Sequence, residues 1–392
     1  MKFERRAEPN RREWLVATVA LLAGCGGVDS GGTGTGTLPT LAVGAITGFG
    51  SIVVNGVRFD DTLAIVEGDD GRVRTREQLR LGMRTEVIAS AVSVVGGAST
   101  AMAASIRIRS ELQGPVESID TQGSTLRVLG QTVALVGTTV LDIGAVPLAA
   151  GDLVEIHATR DLARGRYVAS RIERRASLAA YMVRGTVSAL DLDARTIDIG
   201  GLRISWASAP PADPASALAP GKAVRVTLAP ASGATPSLAL AIDADAIPLD
   251  DRDSAEIEGR ITSFTSLTDF SIDGIPVDAR GATFEGGAAG IAPGAKVEVK
   301  GSLRGGVLLA SKVEFEDDEG DGASFELHGA IQSADPAAMR FVVRGVTVVW
   351  SVSTRFDSGS AADLVTGASV EVRGRLSSDR LTIDATLIHL EP

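Results

Sequence analysis

Residues 50–59, GSIVVNGVRF, read as a β-strand, a two-residue turn and a second β-strand. Asn55 and Gly56 at the centre favour a type I′ turn, because both central residues of that turn take positive φ. The pattern recurs, altered, in four later stretches: STLRVLGQTVAL, RTIDIGGLRISW, FSIDGIPVDA and RFVVRGVTVVW. The sequence therefore predicts an internal repeat built on one β-hairpin, and this repeat decides the fold class.

Three columns of glycine recur in register with the hairpin. The first column opens each repeat and comprises Gly44, Gly114, Gly185, Gly259 and Gly329. The second column is the turn itself: Gly56, Gly130, Gly201, Gly274 and Gly345. The third column ends a Leu-x-x-Gly pattern: Gly82, Gly151, Gly221, Gly294 and Gly367. We expect the apolar residue of that pattern to pack a short turn or helical loop over the core, and the glycine to start the next strand.

Apolar and charged residues alternate after the third glycine, as in Val297-Glu298-Val299. A period of two places successive side chains on opposite faces of a strand. We therefore expect the glutamates of this column to point to water: Glu86, Glu155, Glu298 and Glu371. Arg225 occupies the same column in the third repeat, which weakens any interpretation of the column as an acidic binding row.

Each repeat reads as five short strands with a loop or helical turn between the third and the fourth. This pattern predicts an all-β chain of five tandem small OB-like five-stranded barrels, after a signal peptide and a flexible tether. The expected bounds of repeats 1 to 5 are 42–110, 111–176, 178–249, 254–316 and 324–391. Because a closed barrel can bury its own core, we expect beads, separate or stacked, rather than a solenoid of dependent turns. Repeats 1 to 3 join almost without linkers, which favours rigid packing of these neighbours, whereas 250–254 and 316–324 are expected to be flexible acidic breaks.

The N-terminal residues predict a targeting signal. Residues 1–24 carry a basic start and a short apolar run, which is too short to span a bilayer and is typical of a secretory signal. Two small residues precede Cys25, the single cysteine, and predict a bacterial lipoprotein signal cleaved before a lipid-modified Cys25. Residues 25–41 follow as a Gly/Ser/Thr-rich tether. Gly26 follows the cysteine. By resemblance to Gram-negative lipoproteins, this residue favours the outer membrane over the inner membrane, and it does not indicate which leaflet carries the lipid.

The chain resembles the tandem repeats of the domain-of-unknown-function 5666 family, which occur in bacterial lipoproteins. Repeat 1 carries the resemblance most strongly, in GAITGFGSIVVNGVRFDD and LRLGMRTEV. Repeats 2, 4 and 5 are similar to the family, and repeat 3 departs most from it. The resemblance implies the architecture and the envelope location, and it implies no activity and no catalytic residue.

Composition restricts the partners. The chain has 392 residues, of which 44% are hydrophobic, and a formal net charge of −11. The apolar content suffices for packed cores. Binding to nucleic acid requires Lys and Arg to neutralise phosphates, so we expect no nucleic-acid partner. We expect no cofactor either.

Few residues indicate chemistry. His157, His328 and His389 lie on predicted strands of different repeats without a recognisable nucleophile motif, and we expect structural roles for them. Asp317, Glu319 and Asp321 alternate like the start of a calcium loop, a weak metal candidate. The carboxylate that would complete such a loop is replaced by His328, which favours a solvated acidic linker.

Trp206 and Trp350 occupy equivalent positions, five residues after the turn glycine of repeats 3 and 5. Aromatic side chains on an OB-like face can stack on sugars or bases, so both are possible ligand platforms. The other repeats place Asp61, Leu135 and Ala279 there, which favours core filling.

The sequence favours two functional hypotheses. The first is a non-enzymatic envelope lipoprotein, attached to the membrane through Cys25, whose barrels act as spacer and interaction modules for a protein or glycan partner. The second is an array that binds oligosaccharide or peptidoglycan. An enzyme is the least favoured reading.

Overall fold

The computed structural model describes residues 39–230, 236–316 and 324–391. The chain from Thr37 to Pro392 forms one compact unit. The signal peptide, Cys25 and the acidic stretch that contains Asp317, Glu319 and Asp321 lie outside the described residues, so their predictions are not tested.

The described chain is almost entirely β-structure, with one short α-helix, α1 (Pro214–Ala217), in repeat 3. Repeat 1 contains β1 (Thr40–Gly48), β2 (Ile52–Val54), β3 (Val57–Asp60), β4 (Ile65–Glu67), β5 (Val73–Arg74), β6 (Arg84–Ala89), β7 (Ser93–Val95) and β8 (Ala98–Arg109). Repeat 2 contains β9 (Leu112–Asp120), β10 (Thr125–Val128), β11 (Gln131–Asp142), β12 (Leu153–Asp161) and β13 (Arg166–Arg175). Repeat 3 contains β14 (Tyr181–Asp191), β15 (Thr196–Ile199), β16 (Leu202–Ser205), β17 (Ala223–Leu228) and β18 (Ser237–Ala244).

The last two repeats follow the same order. Repeat 4 contains β19 (Arg252–Ser266), β20 (Asp269–Ile272), β21 (Ile275–Asp278), β22 (Thr283–Glu285), β23 (Lys296–Arg304) and β24 (Val307–Glu316). Repeat 5 contains β25 (Ser324–Asp335), β26 (Arg340–Val343), β27 (Val346–Val349), β28 (Arg355–Ser358), β29 (Ser369–Leu376) and β30 (Ile383–Leu390).

Strand pairing closes on itself within each repeat. In repeat 2, β9 pairs with β10, β10 with β11, β11 with β13 in parallel, β13 with β12, and β12 with β9. The same ring recurs as β1-β2-β3-β8-β6 in repeat 1, β14-β15-β16-β18-β17 in repeat 3, β19-β20-β21-β24-β23 in repeat 4 and β25-β26-β27-β30-β29 in repeat 5. The expected all-β fold of small closed barrels is confirmed.

Four of the five turn glycines adopt the predicted geometry. Asn55 and Gly56 have φ of 52° and 74°, and Asp273 and Gly274 have φ of 48° and 86°, as type I′ turns require. Leu129-Gly130 and Arg344-Gly345 also take positive φ at both positions. These turns set the register of the first hairpin in repeats 1, 2, 4 and 5. In repeat 3, Gly200 has φ of 53° but Gly201 lies outside the positive-φ region, so that turn departs from the predicted type.

The third glycine column closes each barrel over its core. The Gly82 N–H donates to the carbonyl oxygen of Ile46 on the first strand at 2.8 Å, and the corresponding glycines of the other repeats make the same bond. The apolar residue three before it is buried in repeats 1, 3, 4 and 5 and half-buried in repeat 2. The prediction of a short turn packed over the core is correct.

Strands also pair between repeats, so of the two expected arrangements the barrels adopt the stacked one. Strand β1 of repeat 1 pairs in parallel with β19 of repeat 4, with Leu41 opposite Ala255, and Gly48 pairs with Glu326 on β25 of repeat 5. Strand β9 of repeat 2 pairs with β14 of repeat 3. The cores of repeats 1 and 5 form one apolar cluster, and those of repeats 2 and 3 form another.

The glutamate column is the clearest error of the sequence analysis. Glu86 and Glu298 are buried, and Glu155 and Glu371 are half-buried. Alternation places these side chains on the outer face of the barrel, but neighbouring strands and repeats cover that face. Arg109 pairs with Glu86, and Lys300 pairs with Glu298, so each buried carboxylate has a cation beside it.

The first glycine column is a steric requirement in repeats 1 to 4, and we predict that Gly185→Ala destabilises the fold. A Cβ at Gly185 would overlap the Ile199 Cγ2 atom and lie 3.0 Å from the Tyr167 hydroxyl. Overpacking of this kind costs about 1–3 kcal/mol. The midpoint of urea unfolding should fall accordingly. Gly281→Ala is the control, because a Cβ there meets nothing within 4 Å, and an equal loss in both variants would contradict the steric explanation.

Candidate functional site

A buried carboxylate joins the first three repeats. Asp245 follows β18, and its side chain is fully buried. Arg109 at the end of β8 contributes Nη2, 2.6 Å from Asp245 Oδ1, and Arg160 of β12 contributes Nη2, 3.3 Å from Oδ2. Arg184 of β14 donates to the same Oδ1. Asp245 therefore binds one arginine from each of repeats 1, 2 and 3, and we call these four residues the Asp245 hub.

The electrostatics of the hub favour the charged form of Asp245. Burial acts to raise the pKa of the Asp245 carboxyl, but the guanidinium groups of Arg109, Arg160 and Arg184 outweigh burial and hold that pKa at about 2. The carboxylate is ionised at neutral pH, and its attraction to each arginine is strong because water is excluded.

Three further carboxylates surround the hub. Glu86 Oε1 lies 2.7 Å from Arg109 Nη1, Glu111 Oε2 lies 3.8 Å from Arg160 Nε, and Asp69 accepts from Arg184. Burial raises the pKa of Glu111 above its usual value. The arrangement compensates each buried cation, as a stable buried ion network requires.

Repeat 4 is attached through a second polar junction. Arg84 of β6 donates to the carbonyl oxygen of Glu258 at 2.9 Å and to Asp273 Oδ2 at 3.2 Å. Arg260 of β19 donates to Thr159 Oγ1 of repeat 2 at 2.9 Å. Repeat 4 is thereby bonded to both repeat 1 and repeat 2.

Repeat 5 is bonded to repeats 1 and 2. Arg58 of β3 forms an ion pair with Glu326 of β25, with 2.6 Å between Nη2 and Oε2. The backbone N–H of Leu141 in repeat 2 donates to the carbonyl oxygen of Arg380 at 2.9 Å. Repeat 1 contacts every other repeat through hydrogen bonds, ion pairs or strand pairing.

A cleft opens beside the Asp245 hub where the first three repeats meet. Its volume is about 710 Å³, within the usual size range of ligand sites. Repeat 1 contributes its 68–83 segment, repeat 2 contributes β12 and β13, and repeat 3 contributes Tyr181, Met182 and Arg225. The cleft is the largest concavity that we identify in the described chain, and it is the candidate functional site.

The walls of the cleft present paired charges. Arg74 Nη2 lies 2.9 Å from Asp70 Oδ2, and Arg175 Nη1 lies 2.6 Å from Glu173 Oε1. Arg225 Nε lies 3.7 Å from Asp69 and makes no hydrogen bond within the described chain. These groups provide oriented donors and acceptors, a chemistry suited to holding a polar ligand.

The histidines lie apart from one another. His157 is fully buried beside the hub, where its Nδ1–H donates to the carbonyl oxygen of Arg109 at 2.5 Å. His328 Nε2 lies 3.0 Å from Glu391 Oε2, and His389 Nδ1 lies 3.6 Å from Asp357 Oδ2. Within residues 39–230, 236–316 and 324–391, no cluster of three or more possible metal ligands occurs.

The tryptophans fill cores, and the ligand-platform hypothesis is corrected accordingly. Trp206 and Trp350 are each only 5% exposed. Each follows the third strand of its barrel and packs into the apolar core, where Trp350 lies 5.7 Å from the Phe341 ring centroid. Neither ring offers a face to a ligand.

Sequence analysis missed the Asp245 hub and the cleft. Arg109 and Asp245 lie in different repeats, and no local spacing relates them. The one available signal was Arg225, which departs from the glutamate column and lines the cleft.

We predict that Asp245→Asn strongly destabilises the protein. The variant leaves Arg109, Arg160 and Arg184 without their shared counter-charge, and breaking a buried ion network costs about 3–5 kcal/mol. The midpoint of urea unfolding, measured at pH 7, reports the loss. Asp243→Asn is the matched control, since Asp243 is largely exposed and lies 3.7 Å from Arg225. Equal stability of the two variants would show that the hub contributes nothing.

A second prediction concerns the stability of the fold at acidic pH. Burial lowers the pKa of His157 below the usual value of about 6.5, so the folded state holds a neutral imidazole. Its contribution to stability is fully present above pH ~6.5 and is lost as the pH falls through the folded pKa. The thermal midpoint should therefore decrease as the pH is lowered below ~6.5. The slope of the thermal midpoint against pH should be smaller in His157→Gln. An unchanged slope in His157→Gln would contradict the assignment.

None of the helices in the described part of the chain has the length and apolar character that crossing a bilayer requires. Comparison with curated proteins gave no match. The solved structure of drosophila Unr CSD456 aligns with 53% of this chain and 98% of its own chain, at 14% identity and a TM-score of 0.15, which is too low to support an argument.

Three stretches match one family model, described as "Domain of unknown function (DUF5666)": residues 113–173, 258–314 and 328–389. They fall on repeats 2, 4 and 5, so repeat 1, which the sequence analysis ranked as the strongest resemblance, is not among the matched residues. The matched stretches share their strand order with the two other barrels. The chain therefore carries tandem repeats of the DUF5666 family.

Proposed function

We propose that this chain is a non-enzymatic scaffold of the cell envelope, which presents its β-barrels in a fixed arrangement to a protein or glycan partner. The observation that carries the proposal is the Asp245 hub. A spacer of independent beads needs only short linkers, whereas here one carboxylate binds an arginine from each of three repeats.

A buried ion network supports geometry more than stability. Desolvation offsets much of the Coulomb attraction, so well-packed apolar residues could hold the barrels together equally well. Directional ion pairs, however, are satisfied in only one relative orientation of the three barrels. Interfaces between domains of one chain are otherwise expected to permit motion. The hub therefore fits a protein whose partner recognises more than one barrel at once.

The location is proposed from the sequence. Residues 1–24 have the features of a lipoprotein signal, and Cys25 would carry the lipid in the outer membrane. Two or more acyl chains hold a protein stably, because each buried methylene contributes about 0.8 kcal/mol. The following tether separates the anchor from the barrels.

The cleft supports a second candidate, the binding of an oligosaccharide such as a peptidoglycan strand. Tyr181 supplies a half-buried aromatic ring at its wall, and Arg74, Asp70, Arg175 and Glu173 supply fixed polar groups. Sugars bind to such combinations of a ring and planar polar side chains. This candidate replaces the buried tryptophans as the proposed ligand surface.

We predict that cells expressing the chain incorporate labelled palmitate into it and lose the label in Cys25→Ser. After crosslinking of intact cells, a defined partner should co-purify with the wild-type chain. Its recovery should drop about tenfold or more in Asp245→Asn, if about 1.4 kcal/mol or more of binding depends on the hub. Asp243→Asn should retain the partner.

Three outcomes would count against this proposal. Absence of label would remove the lipid anchor. Equal partner recovery with Asp245→Asn would remove the role of the hub. Binding to a glycan array that is lost in Tyr181→Ala would favour the second candidate.

A further inference from the structure

The hairpin of β7 and β8 differs from its counterparts in the other repeats. Residues 87–106 contain no charged side chain, although 22% of the whole chain is charged. The equivalent hairpins of repeats 2, 4 and 5 carry charges at or near their tips, namely Asp161, Arg164, Arg166, Arg304, Asp379 and Arg380. The hairpin of repeat 3 lies partly outside the described residues. Repeat 1 thus has a hairpin whose tip and adjoining strand segments, residues 87–106, carry no charge.

The tip of this hairpin exposes valine on both faces. Val94 is 73% exposed and Val95 is 64% exposed. They pair with Ser99 and Ala98 across the hairpin, and Gly96 and Gly97 form the turn. Consecutive strand residues point to opposite faces. A protein surface packed on one face would leave the other valine in water, whereas a lipid interface covers both faces.

The apolar surface continues along one edge of β8. Met102 is exposed and pairs with Asp60 of β3, and Ile65 of β4 is exposed and pairs with Ser105. Leu63, also exposed, lies in the short connection between β3 and β4 and therefore beside the same edge. Exposed apolar residues on this scale mark a contact surface.

The position of repeat 1 in the chain identifies the occupant. Residues 26–39 separate Cys25 from β1 and extend at most about 50 Å. If Cys25 carries lipid, this tether keeps repeat 1 close to the bilayer that holds the anchor. The uncharged apolar tip, held close to a bilayer, fits the lipid interface, and the exposed Asp60 beside Met102 limits the inserted part to that tip.

We propose that the β7–β8 hairpin inserts Val94 and Val95 into the interfacial layer of the bilayer that carries the anchor. This inference rests on the proposed lipid modification of Cys25. The pairing of β7 that the structure describes is with β8 alone, so its outer edge keeps backbone groups that need water. Insertion is therefore shallow, at the depth of the head groups. The hairpin provides the second membrane contact that orients repeat 1 beside the lipid anchor.

The test uses the chain from Gly26 onward, which lacks the signal and the lipid and contains no cysteine. Residues from Thr37 form the compact unit without the preceding segment. Val94→Cys, labelled with an environment-sensitive fluorophore, should show a blue shift on addition of phosphatidylcholine vesicles. Val352→Cys is the matched control, since Val352 is fully exposed in repeat 5, and its label should not respond.

Vesicle sedimentation gives the affinity. Replacing both valines, Val94→Ser with Val95→Ser, should lower the partition coefficient by about tenfold or more, because the inserted methyl groups provide the binding energy. Val352→Ser should leave it unchanged. Since the inserted tip is uncharged, added salt should have little effect.

Three results would overturn the proposal: no vesicle binding by the wild-type chain, equal partition of the double variant, or an equal shift at positions 94 and 352. A change in sedimentation coefficient of the double variant without vesicles would instead identify the hairpin as a contact between copies. The palmitate experiment is independent, so loss of the anchor and failure of the hairpin are distinguishable.

Discussion

The arrangement of the first three barrels depends on the shared carboxylate of Asp245. Three guanidinium groups from three repeats converge on one buried side chain. Each arginine also lies beside a second carboxylate, Glu86, Glu111 or Asp69, but Asp245 is the carboxylate that all three share. This constraint explains why the neighbouring carboxylates Glu86, Glu111 and Asp69 are also buried. It also reaches the wall of the cleft, because Asp69, which lines the cleft, accepts a hydrogen bond from Arg184 of the hub.

The barrel itself could be predicted from the sequence, because the residues that specify it act locally. Gly56 needs positive φ, Gly82 closes a turn over the core, and Gly185 leaves room for Ile199. Each requirement involves residues close in the chain or in the next strand of the same barrel. Repetition of these signals identified the all-β class and the strand order.

The packing of barrels against one another could not be predicted in the same way. A period of two shows which face of a strand a side chain occupies, but not what covers that face. Glu86 and Glu298 looked solvated for this reason, although a neighbouring repeat or strand covers each of them. The hub and the cleft are assembled from three repeats, with pairs such as Arg109–Asp245 and Arg184–Asp69 more than a hundred positions apart, and a single sequence carries no signal of such pairs.

Residues that depart from the repeat pattern are therefore the most informative about function. Five identical barrels would present five identical faces, and no unique junction could form among them. The junction requires side chains that occur in one repeat only, such as Asp245, or Arg225 in place of the glutamate that other repeats carry. The uncharged hairpin at Val94 and Val95 is a departure of the same kind. The shared residues specify a barrel, and the unshared residues specify where each barrel sits and what it contacts.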